Sequence, residues 1–148
     1  MVSSRLDSSP ANGHARPAIV LLVEDEILIR AAVAEYLRKL GYVVIEAGDA
    51  TEAIAVFSSD EPIDVVMCDV DLPGTMDGLS LARWIHQRRF APPALLTSGR
   101  GIPRSTVGKP ADNFIAKPFR LAALKARLES MLVSRPLPAD ETSEPQPP

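Results

Sequence analysis

The chain has one cysteine, Cys68, and two histidines, His14 and His86. An intramolecular disulfide is therefore excluded, and so is the spaced Cys and His clustering that holds zinc. Lone cysteine usage suggests a reducing compartment, although Cys68, in the apolar run Val65-Val66-Met67-Cys68, reads as a small core side chain and not as a redox group. No run of about 18 apolar residues occurs, and the opening MVSSRLDSSPANGHARP lacks the apolar stretch of a secretory signal. Cytoplasm is the expected location, with no membrane partner. The net charge is -3 and there is no long basic run, so nucleic acid is not an expected partner. Neither histidine is placed to donate a phosphoryl group or bind a metal, and no segment repeats.

What is present fits one soluble α/β domain. The chain has 148 residues, 46% of them hydrophobic and 24% charged, which is enough for one core. Residues 1–17, rich in Ser, Pro, Gly and Asn, and residues 135–148, Pro-rich and acidic, are expected to be flexible tails around a folded unit at 18–134. In that unit short apolar runs alternate with helical patterns, the signature of a parallel sheet covered on both faces. Strands are expected at 18–23, 42–45, 64–68, 94–97 and 113–116. The intervening helices carry Ile29, Val33, Tyr36, Leu37 and Leu40, then Ala53, Ile54 and Phe57 within 49–57, then a helix over 78–89, and finally Leu121, Leu124, Leu128, Met131 and Leu132. Gly41 suits the C-terminal cap of the first helix. Between Thr97 and Asn113 the chain reads SGRGIPRSTVGKPAD, and its glycines and prolines limit any helix there to one or two turns. The fold class is thus a doubly wound α/β sheet with a degenerate fourth helix.

Ligands of open parallel sheets bind beyond the carboxyl ends of the strands. On the assigned boundaries, Glu24 and Asp25 follow strand one, Asp69 ends strand three, Thr97 and Ser98 end strand four and Lys117 follows strand five. Clustered carboxylates repel unless a cation neutralises them, and an oxygen-only set suits magnesium. Lys117 and such an ion would draw charge from a phosphoryl group arriving at Asp69, while the Thr97 hydroxyl donates to a second phosphoryl oxygen. An ionised carboxylate is already a nucleophile, so no separate base is required.

The segments VLLVEDE, VVMCDVDLPGTMDG, LLTSG and FIAKPF, in that order and on those strand ends, resemble the receiver domain of two-component response regulators. The likeness spans roughly residues 18–133. It implies a flavodoxin-like sheet of order 2-1-3-4-5, with Asp69 as phospho-acceptor and Mg2+ held by Asp25, Asp69 and the Asp71 backbone carbonyl. Glu24 would act through a bound water. It also implies that Thr97 and Lys117 contact the phosphoryl group, that Phe114 is a switch aromatic turning inward when Thr97 moves, and that Pro118 follows a cis peptide bond. The implied donor is a histidine kinase or a histidine phosphotransfer protein. Asp71, two residues past the acceptor, is further expected to tune the lifetime of the acyl phosphate. Two departures stand out: the loop Leu72-Pro73-Gly74-Thr75-Met76-Asp77-Gly78 has one residue more than the commonest pattern, and the breaker-rich stretch falls where similar proteins build their output face.

After Val133 only the Pro-rich stretch remains, so the expected output is binding to a downstream protein without an attached effector, with homodimerisation left open. Blander readings exist for single residues. Glu24 and Asp25 could cap the first helix, and Trp84 has no motif partner and is expected simply to pack. A different class of function also remains open: Asp69-Val70-Asp71 resembles the nucleophile motif of haloacid-dehalogenase-type phosphatases, although there it usually ends the first strand. A pseudo-receiver that binds without being phosphorylated is the third reading.

Overall fold

The β-branched and leucyl side chains at 19–23 have no polar member among them, so this strand must lie between neighbours with both faces covered. In the computed structural model, which describes residues 16–101 and 113–133, the elements are β1 (Ile19–Val23), α1 (Ile27–Lys39), β2 (Val43–Ala47), α2 (Ala50–Ser58), β3 (Val65–Asp69), α3 (Gly78–His86), β4 (Ala94–Ser98), β5 (Phe114–Ala116) and α4 (Leu121–Val133). The expectations for tails up to residue 15 and from residue 135, and for scarce helix over 102–112, lie outside the described residues.

The five strands are parallel and ordered β2-β1-β3-β4-β5, the flavodoxin-like order expected. Because side chains alternate along a strand, each strand feeds both faces. Val20, Leu22, Val65, Met67 and Leu95 pack with Val33 and Leu37 of α1 and Leu124, Leu128 and Leu132 of α4. Leu21, Val23, Val66, Cys68 and Leu96 pack with Ala50 and Ala53 of α2 and Leu81 and Ile85 of α3. Cys68 is buried, and burial pushes its thiol pKa up, so it stays an unionised core side chain.

Local signals explain most boundaries. Helix α1 ends in a paired cap, with Tyr42 N–H donating to Leu37 O at 3.1 Å and Gly41 N–H to Arg38 O at 3.0 Å, and Gly41 takes the φ of +99° that this motif demands. Helix α2 is capped by Asp49, whose Oδ1 accepts from Glu52 N–H at 2.8 Å, while the Glu52 carboxylate reaches back to accept from Gly48 N–H at 2.7 Å. Three expectations need correction. Glu24 and Asp25 do not cap α1; Glu26 occupies that position and makes no side-chain cap bond. Helix α3 stops at His86 and not at residue 89, because Arg88 N–H bonds Ile85 O at 2.9 Å in a tighter final turn ahead of Pro92 and Pro93. Strand β2 runs on to Ala47, since parallel pairing with β1 continues to Val23↔Ala47. No helix among the described residues is long and apolar enough to cross a membrane.

Candidate functional site

Parallel registry brings the strand ends to one rim. Asp69 is the partner of Thr97, and Thr97 is the partner of Ile115, two residues before Lys117. Glu24 sits one position past β1, its N–H donating to Ala47 O at 3.0 Å and its carbonyl accepting from Arg30 Nη1 at 2.8 Å. Lys117 follows β5, tied to it by its N–H bond to Ser98 O at 2.9 Å, and the Lys117–Pro118 peptide is cis, as expected.

The side chains then meet. Lys117 Nζ lies 2.8 Å from Glu24 Oε1 and 2.8 Å from Asp69 Oδ2, and Asp71 N–H donates to Asp69 Oδ1 at 2.9 Å. Glu24 is only 3% exposed and Asp69 6%, whereas Asp25 is open to solvent. Carboxylate oxygens of Glu24, Asp25 and Asp69 come within 4.8 Å of one another. Among the described residues, the buried oxygen Glu24 Oε2 has no hydrogen-bond partner.

The charges are out of balance. Glu24 is pushed up to about 7, first by burial and then by the neighbouring Asp69 carboxyl group, against the pull of Lys117. Asp69 is also penalised by burial, but the neighbouring Glu24 carboxyl group, together with the hydrogen bonds from Lys117 and the Asp71 N–H, outweighs this and holds it below its ordinary value. Lys117 is raised, because its two carboxylate partners overcome the desolvation that would lower it. One ammonium thus bridges two members of a three-carboxylate cluster, and one buried oxygen is left over. An oxygen-only donor set with an unsatisfied buried acceptor fits a hard divalent cation.

Of the remaining sequence candidates, Thr97 is buried on β4 and lines the same small cavity as Glu24, Asp69 and Lys117, with Phe119 beside it. Asp71 is exposed, and it is its backbone N–H that reaches Asp69. Phe114 is buried among the side chains under α2 and α3. The long loop after Asp69 accommodates its extra residue with Gly74 at φ +94°. Trp84 stands apart from the rim, packing edge-on against Phe57 at 5.9 Å with the Arg88 guanidinium 3.7 Å above it. His86 is exposed at the end of α3, and His14 lies outside the described residues. Sequence reasoning missed Arg30, Phe119 and Gly78, whose place against the Asp69 backbone leaves no room for a Cβ. The motifs already quoted contain two of these, Phe119 ending FIAKPF and Gly78 ending VVMCDVDLPGTMDG, but nothing in the sequence singled out their roles, and nothing pointed to Arg30.

The chain matches the response regulator receiver domain family over residues 20–129. It belongs to that family. The transcriptional regulatory protein PdtaR of Mycobacterium tuberculosis is 39% identical over 122 residues, covering 80% of this chain and 58% of PdtaR. The chain spans about half the length of the curated relatives it matches. Among solved structures, the receiver domain of the hybrid histidine kinase CckA is 31% identical with a TM-score of 0.66, covering 78% of this chain and 99% of that one. The response regulator TrrA of Thermotoga maritima, solved in complex with Mg2+ and BeF, is 29% identical with a TM-score of 0.69, covering 78% and 99%. As a receiver, this chain is a signalling domain of two-component systems, a class that works with histidine kinases and downstream effectors. That membership leaves the haloacid-type phosphatase reading without support: the aspartate here ends the central strand and an acidic pair already follows the first.

Proposed function

We propose that this receiver accepts a phosphoryl group on Asp69 from a histidine kinase or histidine phosphotransfer protein and passes the signal to another protein by changing shape. The observation that carries this reading is the bridge from Lys117 to both Glu24 and Asp69 at 2.8 Å, beside the unpartnered Glu24 Oε2. Asp69, Asp25 and the Asp71 carbonyl would hold Mg2+, with Glu24 acting through a water; bound there, the ion neutralises phosphoryl charge. TrrA, a similar protein, has been crystallised with Mg2+ and BeF, which supports that assignment.

The rest follows from the chain's own groups. Asp69, held ionised, attacks phosphorus with a carboxylate oxygen as the donor's N–P bond breaks, and the imidazole leaves with the electron pair. Lys117 and the Thr97 hydroxyl stabilise the phosphoryl oxygens. Thr97 moving toward that group draws Phe114 with it, and the exposed Asp71 carboxylate tunes how fast water removes the acyl phosphate. With Mg2+ and acetyl phosphate, the wild type is expected to take up one hydroxylamine-labile phosphoryl group and the Asp69→Ala variant none. Labelling retained in that variant would sink the assignment, and steady turnover of a small phosphate ester would revive the phosphatase reading.

A further inference from the structure

Arg30 lies in the first turn of α1, outside the cluster of carboxylates, yet it holds the chain where the acidic pair begins. Its Nη1 donates to Glu24 O at 2.8 Å, and its Nε lies 3.4 Å from Glu46 Oε1 on β2. Glu46 is held in turn by Arg38 Nη2 at 3.1 Å, which also donates to Val44 O at 3.0 Å. Gly48 leaves space for the guanidinium: a Cβ there would come 3.1 Å from Arg30 Nη1. The Glu24 carbonyl belongs to the planar peptide that leads into Asp25. With its N–H already fixed on Ala47 O at 3.0 Å, Glu24 is clamped from both sides, and the plane entering Asp25 is set by Arg30. Among the described residues no side-chain bond steadies the exposed Asp25 carboxylate, so its direction depends on its backbone.

We infer that Arg30 is a positioning residue for the metal end of the site, acting through the Glu24–Asp25 peptide without touching the ion or the phosphoryl group. This rests on the rim being a Mg2+-dependent acceptor site. Charge and position make opposite predictions, which separates them. A nearby guanidinium repels a dication, so on charge alone removing Arg30 would tighten Mg2+ binding. If Arg30 orients the acidic pair, removing it weakens binding, as loss of an outer partner of a metal ligand generally does.

The test is calorimetric titration of the full chain with Mg2+ alone, on wild type, Arg30→Ala, Arg30→Lys and Arg30→Met. Arg30→Ala is expected to raise the Mg2+ Kd about tenfold. Arg30→Lys, which keeps a donor, should bind more tightly than Arg30→Met, which keeps the stem alone, and this pair decides the matter should the alanine variant fold poorly. With acetyl phosphate as donor, the Mg2+ concentration for half-maximal labelling should rise in parallel, with the rate at saturating Mg2+ kept within about twofold. An unchanged or lower Kd in Arg30→Ala, equal binding by Lys and Met, or a lost saturating rate with an unchanged Mg2+ midpoint would each overturn the inference. Failure of the wild type to bind Mg2+ would overturn the reading of the rim instead.

Discussion

Gly78 lies against Asp69 so closely that a Cβ on it would overlap the Asp69 carbonyl oxygen. Its own N–H donates to Val70 O at 2.9 Å, so the start of α3 is seated directly on the backbone of the proposed acceptor. The atoms in the way are main chain and cannot swing aside. Gly78→Ala is therefore expected to cost about 1–3 kcal/mol or more, seen as a lower urea midpoint. Stability equal to wild type would show that the contact is not tight.

Glu24 makes the metal-free protein sensitive to pH. Its folded pKa, about 7, stands above the ordinary 4.5 because of burial and the neighbouring Asp69 carboxyl group. Its contribution to stability is thus complete below pH 4.5 and is lost as pH rises through about 7. Asp69 behaves oppositely, its depressed pKa adding stability above its ordinary value that is lost in acid. In EDTA the Tm should fall by roughly 3 °C or more between about pH 5 and pH 8. Glu24→Gln should flatten that fall, and Mg2+ should restore the loss at the alkaline end. A slope unaltered in Glu24→Gln, measured by scanning calorimetry, would rule out Glu24 as its source.

Asp64, just before β3, offers a contrast between two of the partners held by one carboxylate, the Ile19 N–H and the Arg16 guanidinium, whose second nitrogen also reaches Oδ1 at 3.2 Å. Its Oδ2 accepts from Ile19 N–H at 2.7 Å and from Arg16 Nη1 at 2.8 Å, and the Arg16 side chain is 50% exposed. Asp64→Ala strands a partly buried N–H at the start of β1 and should cost about 1–3 kcal/mol. Arg16→Ala removes an exposed pair and should cost less than about 1 kcal/mol. Chemical denaturation of the two variants reads the difference, and equal losses would refute it.

Thr97→Val keeps the branched shape of a buried strand residue but deletes its hydroxyl. Mg2+ binding should be unchanged, because the carboxylates that form the metal cluster are untouched. Labelling by acetyl phosphate should slow by about tenfold or more, as expected for loss of one donor to a charge that builds in the transition state. A rate equal to wild type would remove Thr97 from the proposed chemistry.

Much of this was legible in the chain because local rules act locally. Continuous apolar runs announced buried parallel strands, Gly41 announced the end of α1, and acidic or basic side chains just past those runs announced a polar rim. Where tertiary contacts decide, local rules fell short. The second strand reads as ending at Ile45, before the charged Glu46, yet pairing with β1 keeps the chain extended through Ala47. Glu24 and Asp25 look like capping residues, yet Glu24 turns inward to Lys117 and α1 begins without a side-chain cap.

The amino-acid order by itself determined which residue types stand at which strand ends, since strand, turn and helix preferences depend on neighbours a few positions apart. Only the folded sheet decided that Lys117 would stand 2.8 Å from Glu24, 93 residues away, and at the same distance from Asp69. Strand registry, burial of Glu24 and the resulting shift of its proton affinity exist only once the strands lie side by side, because each depends on excluding water between groups remote in the chain. The hold of Arg30 on the Glu24 carbonyl is of the same kind: no spacing in the sequence announces that one arginine of α1 bonds the main chain at the end of β1.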